Sequence, residues 1–273
     1  MHMDMRPIGV FDSGLGGLTA VRCIEELLPN ENIIYFGDTG RVPYGTRGED
    51  VIRKYTDEDC NFLESFDVKL IIAACGTVSS VAGDILHSRS VCAVDVVEPT
   101  ARAAVSATRN KRIGIIGTAA TVRSGSYAKV IEALMPEASV YAKECPMLVP
   151  LVENGWINED DSIARLCVER YLETLKTMSI DTLILGCTHF PLLIPHIRAY
   201  LGEDVSLISA GGEAAMAAAE ILKKSDSLTG ASSLGNTAFY VSDKSQNFKN
   251  VCRIFLGRDP GDINVVDINR FTK

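Results

Sequence analysis

Two cysteines in this sequence each follow an apolar run. Cys75 comes after the run Leu70 to Ala74, and Cys187 comes after the run Thr182 to Gly186. A single cysteine in such a place is more often a small buried hydrophobic residue than a reactive group. Two thiols that face each other across a cleft could instead remove a proton from one face of a carbon atom and supply a proton to the other face. The pair therefore predicts proton transfer at carbon.

Polar residues that could assist the thiols also stand directly after apolar runs, in the segments Asp12-Ser13-Gly14 and Gly37-Asp38-Thr39. Ligands of open α/β sheets bind outside the carboxyl ends of the strands, where such residues would lie. A helix that begins after each cysteine would stabilise a thiolate through its backbone N–H groups and its dipole. We expect Asp12 to pair with one thiol, and His189, two residues after Cys187, to assist the other.

The sequence contains no recognisable cofactor motif. The glycine-rich segment Asp12 to Gly17 matches neither Gly-x-Gly-x-x-Gly nor the Walker pattern. It is typical of a turn whose backbone amides hold a carboxylate at a helix N-terminus. None of the eight cysteines forms a Cys-x-x-Cys pair and the chain has four histidines, so a zinc site has little support. We expect neither a metal ion nor an organic cofactor.

Length and charge exclude several classes of protein. A chain of 273 residues can form two domains of ordinary size or one large α/β domain. The net charge of −8 argues against a nucleic-acid partner. The most apolar runs are far shorter than the roughly 20 residues that span a bilayer, so we expect no membrane insertion. Met1 to Arg6 lacks the apolar stretch of a signal peptide, which predicts a cytoplasmic protein whose cysteines are free thiols.

Strand-like apolar runs alternate with helix-like segments along the chain. This alternation is typical of an α/β fold in which helices cover a mostly parallel sheet. Ile8 to Ser13 has a weak echo in Ile113 to Thr118, and Leu70 to Thr77 has one in Leu183 to Thr188, at nearly equal offsets. The echoes predict two similar α/β domains, each a mostly parallel sheet flanked by helices, with the active site in the cleft between them.

We expect the chain to cross between these domains twice. Proline disfavours helix at the residue before it, so Glu98-Pro99 is interpreted as the first crossing. Ala210-Gly211-Gly212 is interpreted as the return, followed by a helix and a late strand that rejoin the first domain. The predicted domains are therefore residues 1–97 together with 211–273, and residues 98–210.

Six ordered motifs are shared with a known enzyme family. They are Asp12-Ser13-Gly14-Leu15-Gly16-Gly17, Pro43-Tyr44-Gly45, Ala74-Cys75-x-Thr77, Val97-Glu98-Pro99, Leu148-Val149-Pro150-Leu151-Val152-Glu153 and Gly186-Cys187-Thr188-His189-Phe190-Pro191. At these residues the chain resembles the glutamate racemase family of the aspartate/glutamate racemase superfamily. The resemblance implies two α/β domains, an amino-acid substrate, and no pyridoxal phosphate, metal or nucleotide. In that family D-glutamate feeds bacterial peptidoglycan synthesis.

The resemblance also implies roles for individual residues. Cys75 and Cys187 match the acid/base pair, and Asp12 and His189 match residues that assist the thiols. The residues that match substrate-binding positions are Asp12, Ser13, Pro43, Tyr44, Gly45, Gly76, Thr77, Thr188 and His189. Two further acidic residues, Asp38 and Glu153, match positions with supporting roles.

Gly76 departs from the family pattern. The family usually reads Cys-Asn-Thr where this chain reads Cys75-Gly76-Thr77, and that asparagine normally contacts the head group of the substrate. We expect this contact to be missing or made by water, in which case Gly76→Asn should raise kcat/KM for glutamate. Alternatively, the space beside the glycine could admit a bulkier or differently posed substrate.

Three other functions remain alternatives on the sequence alone. They are a racemase of aspartate or another amino acid, a decarboxylase with a single cysteine, and a non-catalytic amino-acid-binding protein. A homodimer is left open.

Overall fold

All strands of the structure belong to two parallel sheets. The structure is a computed structural model that describes residues 4–244 and 248–272 of the chain. The strands in those residues are β1 (Ile8–Asp12), β2 (Ile33–Gly37), β3 (Leu70–Ala73), β4 (Cys92–Asp95), β5 (Arg112–Gly117), β6 (Ser139–Glu144), β7 (Thr182–Leu185), β8 (Ser206–Ser209), β9 (Thr237–Val241) and β10 (Ile263–Val265). A six-stranded sheet has the order β10-β9-β2-β1-β3-β4, and a four-stranded sheet has the order β6-β5-β7-β8. Every neighbouring pair is parallel.

The four-stranded sheet repeats the order of four strands in the larger sheet. β1 lies between β2 and β3, with β4 outside β3, and β5 lies in the same way between β6 and β7, with β8 outside β7. The echo in the sequence therefore pairs equivalent strands, β1 with β5 and β3 with β7. The predicted α/β class, with two similar sheets, is confirmed.

Helices cover both sheets. They are α1 (Leu18–Leu27), α2 (Glu49–Glu64), α3 (Gly76–His87), α4 (Val97–Ala107), α5 (Ala119–Ser124), α6 (Ser126–Leu134), α7 (Leu148–Glu153), α8 (Ser162–Thr177), α9 (Ile194–Leu201), α10 (Ala210–Lys224) and α11 (Phe248–Leu256). Short 3₁₀ helices lie at Tyr44–Thr46, Phe190–Leu193 and Ile268–Phe271. α1 shows why such segments are helical, because Leu18, Val21 and Ile24 recur at helical spacing and are all buried.

Two helices connect the sheets. α4 leads from β4 to β5, and α10 leads from β8 towards β9. Glu98 and Pro99 lie in the first turn of α4 instead of breaking a helix, because proline is tolerated there, where N–H groups have no partner within the helix. The Asp95 carboxylate accepts hydrogen bonds from the free amides of Val97, at 2.6 Å, and Glu98, at 3.2 Å. Glu98-Pro99, the predicted crossing, is thus helical in the structure. The exact domain limits stay a prediction.

The hydrophobic core runs from one sheet to the other. One continuous cluster of buried side chains contains Val10 of β1, Leu185 of β7, Leu172 of α8 and Ala214 of α10. Burial of this apolar surface is the main favourable contribution to folding. The two sheets are therefore held together by shared packing, which fixes how the strand ends face each other.

The residues that the structure describes contain neither a membrane-spanning helix nor a cluster of metal-binding side chains. No helix there is both long enough and apolar enough to cross a membrane. Neither is there a group of three or more histidine, cysteine, aspartate or glutamate side chains that could hold a metal ion.

Candidate active site

Asp12, Ser13 and Cys75 meet at the carboxyl ends of two neighbouring strands. β1 and β3 pair in parallel with Phe11 opposite Ala73, so the residues that follow these strands lie side by side. The Cys75 thiol donates to Ser13 Oγ at 3.4 Å. Asp12 is buried, and its Oδ2 accepts from the Gly14 amide at 3.0 Å. Asp12 Oδ1 is also buried and has no hydrogen-bond partner among the described residues.

The surroundings of Cys75 favour the neutral thiol. Burial raises the pKa of Cys75 to about 12, and the nearby Asp12 carboxylate acts in the same direction. Hydrogen bonds from Ser13 and from the backbone of Val78 at the start of α3 oppose this effect but do not cancel it. Burial likewise raises the pKa of Asp12.

Cys187 has a different set of neighbours. Its Sγ lies 3.6 Å from His189 Nδ1, and His189 Nε2 lies 3.0 Å from Glu153 Oε1 at the end of α7. The Thr188 hydroxyl also lies 3.4 Å from His189 Nδ1. The imidazole ring meets Phe255 of α11 edge-on, with ring centroids 4.9 Å apart.

Charge around His189 favours the imidazolium. Burial alone would lower the pKa of His189, but Cys187 and Glu153 outweigh it and raise the pKa to about 10. His189 is therefore protonated at neutral pH, and a positive charge stands beside the Cys187 sulfur.

The cysteine-bearing segments of the two sheets touch each other. A Cβ atom placed on Gly76 would lie 2.2 Å from the carbonyl oxygen of Gly186, so the two backbones are in direct contact there. On another side of the site, Gly16 packs against Thr188 and His189, because a Cβ on Gly16 would lie 2.1 Å from Thr188 Oγ1. The Thr19 hydroxyl donates to the Thr188 carbonyl at 3.1 Å.

The contact at Gly76 changes the expectation for this residue. The space that a side chain would enter is occupied by the Gly186 backbone, so the glycine does not provide room for a bulkier substrate. For the same reason an asparagine could not be added without displacing main chain. The sequence motif could not reveal this, because the obstructing atom belongs to the other sheet.

Thr77 and Gly45 face the four-stranded sheet as well. Thr77 Oγ1 lies 3.0 Å from Oγ1 of Thr118, the residue that follows β5 and caps α5. Gly45 lies beside the Thr118 side chain, and a Cβ there would approach its Cβ to 2.9 Å. Thr118 thus contacts two of the predicted site residues.

Tyr44 and Asp38 belong to a buried cluster of charged and polar side chains. The Tyr44 hydroxyl, which is buried, donates to Asp38 and, at 3.2 Å, to Asp59 of α2. Arg41 binds the same carboxylates, with Nε 2.5 Å from Asp38 and NH2 3.1 Å from Asp59, and it also pairs with Glu58. These interactions fix the segment from Asp38 to Gly45, whereas Pro43, which follows a cis peptide bond, is exposed.

Three residues around the site were missing from the prediction. Thr118 could have been found, because it occupies the position of Ser13 in the echo between β1 and β5. Arg41 and Phe255 gave no signal. Arg41 acts through carboxylates on a helix that begins after it, and Phe255 reaches His189 from the distant helix α11.

Comparison with known proteins gives consistent results. The family model described as Asp/Glu/Hydantoin racemase matches residues 8–219 of the chain. A glutamate racemase of Geobacter metallireducens is 43% identical over 267 residues, which are 97% of this chain and 98% of that protein. Nearly the whole chain is therefore covered by this relative.

Solved structures agree with the sequence matches. The crystal structure of a glutamate racemase from Francisella tularensis in complex with D-glutamate superimposes with a TM-score of 0.91 at 35% identity, covering 98% of this chain and 100% of that one. A glutamate racemase isoform from Bacillus anthracis gives a TM-score of 0.92 at 35% identity, covering 97% and 98%.

Proposed function

The chain belongs to the Asp/Glu/hydantoin racemase family, and we propose that it interconverts L- and D-glutamate by moving the α-proton between Cys75 and Cys187. One observation carries the proposal. Two cysteines at equivalent strand ends of two sheets stand in segments that touch, and each has its own charged neighbour. The 43% identity to a glutamate racemase supports glutamate as the substrate.

In the resting enzyme the two sulfurs have different neighbours. Cys187 lies beside the His189 imidazolium, which Glu153 holds in place, and we assign Cys187 the role of the base. Cys75 is the thiol, because burial and Asp12 raise its pKa to about 12. One group is thus ready to accept a proton and the other to donate one, without any covalent adduct.

The reaction consists of two proton transfers on opposite faces of one carbon. The Cα–H bond breaks, its proton forms the S–H bond of Cys187, and its electron pair stays on the substrate. The S–H bond of Cys75 then breaks, and its proton forms the new Cα–H bond on the other face. Cys75 becomes the thiolate, and after the product leaves, exchange of protons with solvent removes the proton from Cys187 and returns one to Cys75, which restores the starting state.

The carbanion is the difficult species, since an amino-acid α-proton is far less acidic than a thiol. Hydrogen bonds to the substrate carboxylate stabilise an enediolate-like carbanion, and the hydroxyls of Ser13, Thr77 and Thr188 stand beside the thiol-bearing segments. The buried, unpartnered Asp12 Oδ1 suits the substrate ammonium group. A closed cleft between the sheets strengthens these interactions by excluding water.

The cellular role follows from the product. We place the reaction in the cytoplasm, where thiols stay reduced, and assign the D-glutamate to peptidoglycan synthesis. The eight free cysteines of the structure suit such a compartment.

The decisive experiment is a chiral assay of the purified protein with L-glutamate and L-aspartate in deuterium oxide. We expect D-glutamate to appear with deuterium at Cα, and aspartate to react far more slowly. Racemisation of aspartate in preference to glutamate would show that the protein is an aspartate racemase instead. Reaction with neither amino acid would refute the proposal.

Single substitutions test the two-thiol mechanism. Cys75→Ser and Cys187→Ser should each abolish racemisation, because a serine hydroxyl is a far weaker acid than a thiol. Cys92→Ser is the matched control, since Cys92 is free and exposed, and it should keep full activity. Full racemisation by either variant would show that Cys75 and Cys187 are not the acid/base pair.

A further inference from the structure

Thr19 joins the glycine-rich turn to the segment that carries Cys187. It is the second residue of α1, and its single hydroxyl proton is shared between two carbonyl oxygens. One belongs to Gly16 in the same turn, at 2.8 Å, and the other belongs to Thr188, at 3.1 Å. The bond to Gly16 is a local one of a kind that threonines often make. The bond to Thr188 spans 169 positions and connects the chain after β1 with the chain after β7, which belong to different sheets.

The Thr188 carbonyl needs this distant donor because of the residue three positions later. In the turn after β7, amides donate to carbonyls three positions earlier, as Phe190 does to Cys187 at 3.1 Å. The corresponding donor for Thr188 would be Pro191, which has no N–H. Thr188 is buried, and a buried carbonyl without a partner costs free energy. The Thr19 hydroxyl therefore supplies a bond that the turn cannot make locally.

We infer that Thr19 is a positioning residue for the two-thiol reaction: its hydroxyl holds the segment of Cys187 and His189 against the glycine-rich turn. The inference rests on the proposed function, since the placement of this segment matters to catalysis only if Cys187 acts on the substrate. Thr188 lies between the two residues, and its carbonyl belongs to the planar peptide group that leads to His189. Fixing that carbonyl therefore fixes the point from which the His189 side chain extends.

Close packing of the turn against the same segment supports the inference. A Cβ on Gly16 would lie 2.1 Å from Thr188 Oγ1 and 2.7 Å from His189 Nδ1, so the turn touches both side chains. The same Nδ1 atom lies 3.6 Å from the Cys187 sulfur. A shift of the segment away from the turn would thus change the surroundings of the thiol.

The consequence for catalysis is specific. A displacement of about 1 Å can cost a factor of about 100 in rate when reacting groups must be aligned. The substrate would keep its other proposed partners, Ser13 and Thr77, which stand beside Cys75 and Thr118 instead. Loss of the Thr19 hydroxyl should therefore lower kcat more than it raises KM.

The test compares two substitutions of Thr19. Thr19→Val removes the hydroxyl and keeps the shape of the side chain, whereas Thr19→Ser keeps the hydroxyl. We expect Thr19→Val to lower kcat for glutamate at least about tenfold with KM raised less than about threefold, and Thr19→Ser to stay within about twofold of the wild type.

Thr56→Val is the matched control. The buried Thr56 hydroxyl donates at 2.8 Å to the Ile52 carbonyl of its own helix α2, so this variant also loses a hydroxyl–carbonyl bond. It should lower the urea midpoint of unfolding and leave kcat unchanged. The same result for Thr19→Val, a lower midpoint with an unchanged kcat, would overturn the positioning role.

Hydrogen–deuterium exchange followed by mass spectrometry gives a readout that does not depend on turnover. In Thr19→Val the amides of the turn after Cys187, among them that of Phe190, should exchange at least about threefold faster than in the wild type. The amides that follow Cys75 in α3 should keep the wild-type rate, because Thr19 makes no bond to that segment in the described structure. Unchanged exchange in the turn after Cys187 would overturn the inference.

The remaining outcomes are also decisive. If Thr19→Val does not fold, Thr19→Ala takes its place in both measurements. If neither folds while Thr19→Ser is folded and active, the hydroxyl holds the fold and not the site, which would overturn the inference. A wild-type enzyme that does not racemise glutamate would refute the proposed function instead, and the exchange measurement would still test whether Thr19 holds the segment of Cys187.

Discussion

Cys75 and Cys187 occupy equivalent strand ends but stand in opposite electrostatic surroundings. Asp12 places negative charge beside Cys75, whereas the protonated His189 places positive charge beside Cys187. The difference follows from what comes after each strand, because His189 stands where the first repeat has Thr77. A pair of identical groups thus obtains unequal electrostatic surroundings, which suits a reaction with one acid and one base.

His189→Asn tests the role of the imidazolium. Because the His189 pKa is raised to about 10, the ring carries its charge throughout neutral pH and loses it only as the pH passes that value. The variant lacks a cation beside Cys187 that the wild type keeps up to about pH 10, so its deficit should shrink as the pH passes that value. We therefore expect kcat/KM to fall at least about tenfold at pH 7.5 and to approach the wild-type value above pH 10.

Glu153→Gln is the companion variant. The Glu153 side chain is 49% exposed, so solvent screens its charge, and the change in the pH profile should have the same direction but a smaller size. An equal loss of activity at every pH in His189→Asn would contradict the electrostatic role.

The residues that could carry out chemistry were more predictable from the sequence than the residues that hold the surrounding segments in place. The two cysteines, Asp12 and His189 could be found because they follow strands, where ligands of such folds bind. Arg41 could not, because its partners Asp38 and Asp59 become neighbours only when α2 packs against the loop.

At the scale of elements, the segment from Asp38 to Gly45 is held by a buried charge cluster. Arg41 contacts three carboxylates and also stacks on the Tyr55 ring, with its guanidinium carbon 3.9 Å from the centroid. Burial and neighbouring carboxylates hold the pKa of Asp59 well above its usual range. Such a cluster is stable only while the cation is present, since its like charges otherwise repel one another at close range.

Arg41→Met should therefore lower the free energy of unfolding by about 3–5 kcal/mol at pH 8, measured by urea titration. Without Arg41 the folded state binds protons more readily, so the deficit should be smaller at pH 5. Arg102→Met is the matched control, because Arg102 pairs with Glu98 on the surface and should lose at most about 1 kcal/mol. Equal losses in the two variants would show that the buried cluster does not stabilise the loop.

The elements themselves were largely predictable, and the exception has a clear cause. Apolar runs identified β1, β3 and β7, because strands of a parallel sheet are buried on both faces. Pro99 misled the interpretation of α4, since the rule against proline applies to helix interiors and not to the first turn. Local sequence alone does not say on which side of a proline a helix begins.

At the scale of the molecule, the two sheets share one core although each has its own strand order. The largest buried cluster takes side chains from β1 and α1 on one side and from β7 and α8 on the other. Because these contacts are shared, neither sheet can lose its packing without exposing apolar surface of the other. The geometry of the active site is a product of that shared core.

A substitution in the core beside one sheet should therefore destabilise the other sheet as well. Leu18→Ala in α1, next to the six-stranded sheet, removes a fully buried side chain of the shared core and should lower the free energy of unfolding by about 2–5 kcal/mol.

The only tryptophan, Trp156, lies between α7 and α8 beside the four-stranded sheet, and its fluorescence reports on that side. We expect Leu18→Ala to lower the urea midpoint seen by Trp156 as much as the one seen by far-ultraviolet circular dichroism, in a single transition. Leu27→Ala, which alters an exposed leucine of the same helix, should change the free energy of unfolding by at most about 0.5 kcal/mol and leave both midpoints close to those of the wild type. Separate transitions, with the Trp156 midpoint unmoved, would mean that the sheets unfold independently and that the core does not couple them.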